Sequence, residues 1–356
     1  MYKPHRGNDF LLGIICILLI IGMYVVNNTA VIEQDPLFNT KLTAYELIDE
    51  YMSTIRSLKS DMSIEMSEED IHKTGMIGLS NSSITTSLGS IEAKRTSAIP
   101  DMAALVVELL YKAGVRSGDV IGANFSGSFP SLNLAVLAAS KAMNVNCIYI
   151  TSIGASNYGA NNPDLTFPDM VIKLKENGLI ESNGAAFSIG GTDDIGLYMD
   201  ETAKSKIVNR LQSNGLNLIN RSNYQDNLEK RQIIFEKDGR IKCFVNVGGN
   251  TTSLGEGESS FYFGQGLLVS KSIPITKNSG LIEIYRNKGI PVIHLLNLRK
   301  LTSDYGLAYD PTVIPKKGTS SLFIKLSYNS IISFAFITIS IIVLIIYKKK
   351  CYHTRY

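Results

Sequence analysis

The chain has 356 residues, 45% of them hydrophobic and 19% charged, enough for one large or two modest domains and unlike a disordered or low-complexity protein. Its net charge of +3 sits at the ends: Lys3 and Arg6 precede the first apolar run, and Lys348, Lys349, Lys350 and Arg355 follow the last. With those six and Asp9 set aside, 29 of the 35 basic residues face 31 of the 32 acidic ones, so the middle lacks the positive charge of a nucleic-acid binder.

Phe10 to Val26 is an uncharged apolar run of about 17 residues, at the lower limit for a spanning helix. The exit Asn27-Asn28-Thr29-Ala30 is a poor cleavage site, so an uncleaved anchor is expected rather than a signal peptide. Thr43 to Leu58 carries Ala44, Leu47, Ile48, Tyr51, Met52 and Ile55 at helical spacing. A hydroxyl-rich segment from Gly78 to Ser97 has no clear period and ends near the Lys94-Arg95 pair. Pro100 then opens a helix that Gly114 closes.

From Asp119 onward short apolar runs alternate with helical ones. Strands are expected at Val120–Phe125, Cys147–Thr151, Ala185–Ile189, Leu216–Ile219, Ile241–Val247 and Pro291–Leu296. Helices are expected at Ser131–Met143, Phe167–Lys175, Asp200–Gln212, in a charged stretch ending at Phe235, and at Ile282–Asn287. This rhythm predicts an α/β protein with a doubly wound, mostly parallel sheet, a Rossmann-like three-layer arrangement. Pro311 and Pro315 mark a linker, and Ile331 to Tyr347, extendable back to Tyr328, is a second apolar run ending at three lysines.

The expected organisation is a cytoplasmic basic flank at 1–9, a transmembrane helix at 10–26, a helical linker at 27–77, an extracytoplasmic α/β domain at 78–310, a linker at 311–327, a transmembrane helix at 328–347 and a basic cytoplasmic tail at 348–356. Positive flanks at both ends put both termini inside and the middle outside the lipid bilayer of the cytoplasmic membrane.

Ligands in such sheets bind at the carboxyl ends of the strands. Four strands end in polar or Gly-rich turns: Ser126-Gly127-Ser128, Ser152 to Ser156, Gly190-Gly191 to Asp193-Asp194, and Gly248-Gly249-Asn250 after Asn246. A parallel sheet gathers all four on one edge. Backbone amides before the proline-started helix at Pro130 would suit an anion, with Ser128 as helix N-cap the plainer alternative. Asp193 and Asp194 suit an acid–base pair or a hard cation, or cap the next element. His294 is a core residue or a base to Ser126 or Ser128. Lys94 and Arg95 suit acidic ligands, or form a solvated pair. The sequence carries no Walker loop, no Gly-x-Ser-x-Gly elbow, no dinucleotide fingerprint and no Cys/His zinc spacing, so no cofactor and no metal are expected.

Five strings look like those of a known family, in the same order: Ile84–Ser97 (ITTSLGSIEAKRTS, with Thr85 and Thr86), Ser126–Asn133 (SGSFPSLN), Ser152–Ser156 (SIGAS) followed by Gly159-Ala160-Asn161, Phe244–Gly249 (FVNVGG) and Pro291–Asn297 (PVIHLLN). Together they resemble the bacterial poly-gamma-glutamate system proteins, which accompany the machinery that makes and exports this polymer. The resemblance spans roughly Gly78 to Pro311 and implies a pathway rather than a reaction. Its implied partners are poly-gamma-glutamate or glutamate oligomers and other membrane proteins of the synthase or export complex, with no nucleic acid. Three functions follow: an accessory protein that contacts polymer or synthase, a hydrolase or transferase of gamma-glutamyl bonds with a serine nucleophile, or a structural subunit.

Overall fold

The computed structural model describes residues 6–220, 223–256, 263–269 and 271–353, with side chains described from 12 to 349 within those ranges. The chain divides into two units, Leu37–Phe323 and a terminal unit of Met1–Pro36 with Ile324–Tyr356. The outer parts of both expected basic flanks, residues 1–5 and 354–356, lie outside the described residues.

The larger unit is mixed α/β around a seven-stranded sheet. In chain order its strands are β1 (Val120–Phe125), β2 (Asn146–Ser152), β3 (Ala186–Ser188), β4 (Leu218–Ile219), β5 (Cys243–Val247), β6 (Gly266–Leu268) and β7 (Val292–Leu295). They lie side by side in the order β6-β7-β5-β1-β2-β3-β4. Every pairing is parallel except that of the edge strand β6 with β7. The chain therefore steps outward from β1 through β2, β3 and β4, then returns to lay β5 on the other flank of β1. Strand order reverses between β1 and β5, and a crevice opens there at the carboxyl edge.

The helices of this unit are α1 (Phe38–Asp61), α2 (Ile91–Ser97), α3 (Asp101–Lys112), α4 (Pro130–Ala142), α5 (Phe167–Glu176), α6 (Glu201–Ser213), α7 (Tyr224–Phe235), α8 (Thr251–Leu254), α9 (Leu281–Asn287) and α10 (Leu298–Asp304). Local chemistry sets several starts. Pro130 occupies the first turn of α4, Asp169 of α5 accepts from the Thr166 N–H at 2.8 Å, and Asp200 and Asn223 cap α6 and α7 by accepting from Ala203 N and Asp226 N. On one side of the sheet α1 packs on α3, α4 and α5. On the other, Leu228 and Phe235 of α7 and Leu281, Ile282 and Tyr285 of α9 bury against Ile148, Phe244 and Val292. The stacked Phe244–Tyr285 pair, with ring centroids 4.8 Å apart, centres this face. Cover on both faces explains why the strands are mostly apolar.

The helix expected inside a linker is α1, and it forms part of the layered unit. Ala44, Ile48, Tyr51 and Ile55 are buried, and Lys41 donates to Leu322 O at 2.8 Å and pairs with Glu108 at 2.7 Å. The segment 311–323, also expected as linker, belongs to the same unit. Strand β6 had no counterpart in the sequence reading; three residues are too short to show a period.

In the terminal unit, helices Arg6–Asn28 and Ser330–His353 pack together, continued by an antiparallel pair of strands, Val31–Gln34 and Ile324–Ser327. A Cβ at Gly22 would lie 2.8 Å from the ring of Phe336, so glycine permits this close approach. Among the described residues one helix, Ser330–Lys349, is long and apolar enough to cross a membrane; Leu12–Asn28 is a shorter apolar helix.

Candidate functional site

The turns after β1, β2, β3 and β5 all lie on the carboxyl edge because their strands are parallel. They interlock. A Cβ on Gly127 would stand 2.9 Å from Gly154 O, one on Gly190 2.9 Å from Ser152 Cβ, and one on Gly248 2.7 Å from Ser126 Cβ. Gly190 and Gly248 also have φ of +78° and +85°. These three glycines are thus required by loop-to-loop packing. The segment from Gly78 to Ser90 is tied to this edge: Asn161 bonds both Leu79 N and Leu79 O, and Thr85 and Ser87 pair with Ala155 and Ser156.

Between the turns lies a crevice of about 370 Å³. Its walls include Thr86, Lys94, Ser126, Ser128, Ser156, Gly191, Gly249 and Asn250 of the residues singled out from sequence, with Phe129 and Thr251 added by the fold. Ser128 is not the helix N-cap; that position falls to Phe129, and Ser128 Oγ instead accepts from Ser156 N at 3.0 Å. Gly127 N donates to Ser152 Oγ at 3.3 Å, which places Ser152 behind the wall. Thr85 also turns away, accepting from Ser82 N and Asn161 Nδ2.

Lys94 and Arg95 part company although they are adjacent on α2. Lys94 is 2% exposed, and its Nζ donates to Ser128 O and to Ser156 Oγ (2.8 Å) and lies 3.7 Å from the centre of the Phe129 ring. Among the described residues no carboxylate pairs with it, and burial alone pulls its pKa down to about 7. Arg95 points the other way, gripping Asp310 through two bonds of 2.7 Å and reaching Glu69 at 3.1 Å. Those carboxylates hold the guanidinium charged and leave it no part in the crevice.

Beneath the crevice runs a buried polar network. Asp194 accepts from Ser188 Oγ (2.7 Å), Gly190 N (3.0 Å) and Asn227 Nδ2 (2.8 Å), and pairs with Arg231 at 2.7 Å. Arg231 also donates to Ser188 Oγ, Asn227 Oδ1 and Asn124 Oδ1. Asn124 in turn donates to Ser253 Oγ at 2.7 Å and Thr252 Oγ1 at 3.2 Å. The network joins β1, β3, α7 and α8 behind the crevice wall. Asp194 is therefore neither an acid–base partner of Asp193 nor a helix cap, and Asp193 is exposed.

His294 lies in the middle of β7, 1% exposed, in register with Asn246. Its Nδ1 accepts from Asn246 Nδ2 at 3.0 Å, and burial lowers its pKa to about 4, so it is neutral. Among the described residues no hydrogen bond joins His294 to Ser126 or Ser128, and a serine–histidine–aspartate relay is not assembled. Sequence reasoning missed Arg231. Its signal was a cation on the apolar stripe of α7, three residues after Leu228 and four before Phe235.

No protein-family model, no curated protein and no solved structure matches the chain.

Proposed function

We propose that the chain is a membrane-anchored accessory protein of poly-gamma-glutamate synthesis or export whose crevice takes a carboxylate of the polymer. The observation that carries this reading is Lys94: a buried cation, facing a crevice, with no carboxylate beside it among the described residues. A buried charge is costly unless it is paired, so a ligand anion stabilises the loaded state. The hydroxyls of Thr86, Ser126 and Ser128 and the amide of Asn250 supply neutral hydrogen-bonding groups around it. The five strings that resemble those of the poly-gamma-glutamate system proteins point to the same polymer, and all five contribute residues to the crevice walls.

The layers on both sheet faces fit a doubly wound, Rossmann-like unit held outside the cytoplasmic membrane by two spans. Met23 and Tyr24 on one terminal helix and Ile331 and Phe334 on the other are exposed, a surface suited to lipid. The apolar part of helix Arg6–Asn28, Leu12–Asn28, rises about 26 Å, at the lower limit for a hydrocarbon core of about 30 Å. Synthase or export membrane proteins would meet it there. The hydrolase alternative lacks a base for its serine, since His294 is bonded to Asn246.

The test is calorimetric titration of the full chain in detergent micelles with short gamma-glutamyl oligomers. Saturable binding that weakens at least about tenfold in Lys94→Met is expected. Heats indistinguishable from dilution would end the proposal.

A further inference from the structure

The crevice offers counter-charge for one carboxylate. Among the described residues that line it, Lys94 is the one charged side chain. Arg95, the obvious second cation, is committed to Asp310 and Glu69. The other walls are hydroxyls, glycines, an amide and the apolar Leu88, Phe129 and Leu296. The interior of a polyglutamate chain carries one negative charge per residue. Threading it through would bring several carboxylates against a single cation, and each uncompensated one would lose hydration without gaining a partner. A volume of about 370 Å³ is that of a site for a small molecule or a chain end, and Ser126, Ser128, Gly191 and Gly249 of the interlocked turns line it.

We infer that the crevice receives the terminal gamma-carboxylate of a gamma-glutamyl chain, with the alpha-carboxylate of the same residue left in solvent, and not the chain's interior. This rests on the carboxylate role proposed above. It makes the protein an end-holder: it caps or presents a terminus and leaves the rest of the polymer in solvent. Leu88, which lines the mouth and is itself exposed, is placed to cover the aliphatic part of a terminal residue.

The stoichiometry of the unaltered full chain in detergent decides this without any variant. Poly-gamma-glutamate preparations of increasing length are titrated at fixed chain concentration, with glutarate and a short gamma-glutamyl oligomer as small probes. The expected result is a constant number of proteins per polymer chain at every length, with the short oligomer competing fully. A number of bound proteins that rises in proportion to length would overturn the inference and leave polymer binding standing. One-to-one binding of glutarate with no binding of any gamma-glutamyl oligomer would overturn both this inference and the polymer assignment, leaving a site for another small acid. Lys94→Met should weaken the oligomer at least about tenfold. Should that variant unfold, the length series on the natural chain still decides.

Discussion

Replacing Arg231 by methionine should destabilise the larger unit by about 4 kcal/mol. The guanidinium is 2% exposed and pairs at 2.7 Å with Asp194, itself 6% exposed. Removing one partner of a buried pair costs roughly 3–5 kcal/mol, because the other charge is stranded. Asp194 keeps three donors, from Ser188, Gly190 and Asn227, which places that loss near the lower limit, about 3 kcal/mol. The carbonyl oxygens of Asn124 and Asn227 each lose their guanidinium donor, adding about 1 kcal/mol together. A loss of about 4 kcal/mol lowers Tm by roughly 7 °C for a unit spanning Leu37–Phe323. Thermal unfolding of the full chain in detergent, followed by circular dichroism, measures it. Adding Asp194→Asn removes the stranded charge, so the double variant should be less destabilised than the two single losses summed, by about 1 kcal/mol or more. A single-variant loss under about 1 kcal/mol, or strict additivity, would refute the reasoning.

His294 should make the protein acid-sensitive. Its pKa is lowered to about 4 when folded, so the unfolded chain binds the proton first. Stability is then full above about pH 6.5 and falls by roughly 3 kcal/mol as the pH drops to 4. Urea midpoints across that range should flatten in His294→Gln; an equal slope in both proteins would count against the assignment. Lys94 gives the opposite signature in binding. Its ammonium is lost above about pH 7, so affinity for a carboxylate should hold below that pH and fall about tenfold per unit above it; affinity unchanged to about pH 9 would show that its charge plays no part. Gly159→Ala should displace the Ser126–Ser128 turn, because the added Cβ would lie 2.8 Å from Gly127 O and 2.9 Å from Ser128 Cα. A loss of about 1–3 kcal/mol is expected, with weakened oligomer binding; normal stability and binding would mean the turns give way easily.

Apart from strand β6 and the short helices α2, α8 and α10, the strands and helices of the larger unit, and the gathering of four turns on one edge, were legible in the sequence. Runs such as Cys243–Val247 and Val120–Phe125 are apolar except at Asn246 and Asn124 because both faces are covered, and that local composition is what a parallel sheet demands. Pro130 and Gly114 punctuate helices for reasons carried by their own backbones. The roles of the charged residues were not legible. Lys94 and Arg95 are neighbours in the chain, yet a helix turns successive side chains by about 100°, and only the packed structure decides which faces the crevice and which meets Asp310. Arg231 and Asp194 are likewise joined by the fold alone, since neither residue's neighbourhood names the other. The sequence determined where the chain turns, because turning is a local property of glycine and proline. The tertiary structure decided what each turn encloses, because burial and ion pairing depend on partners distant in the chain.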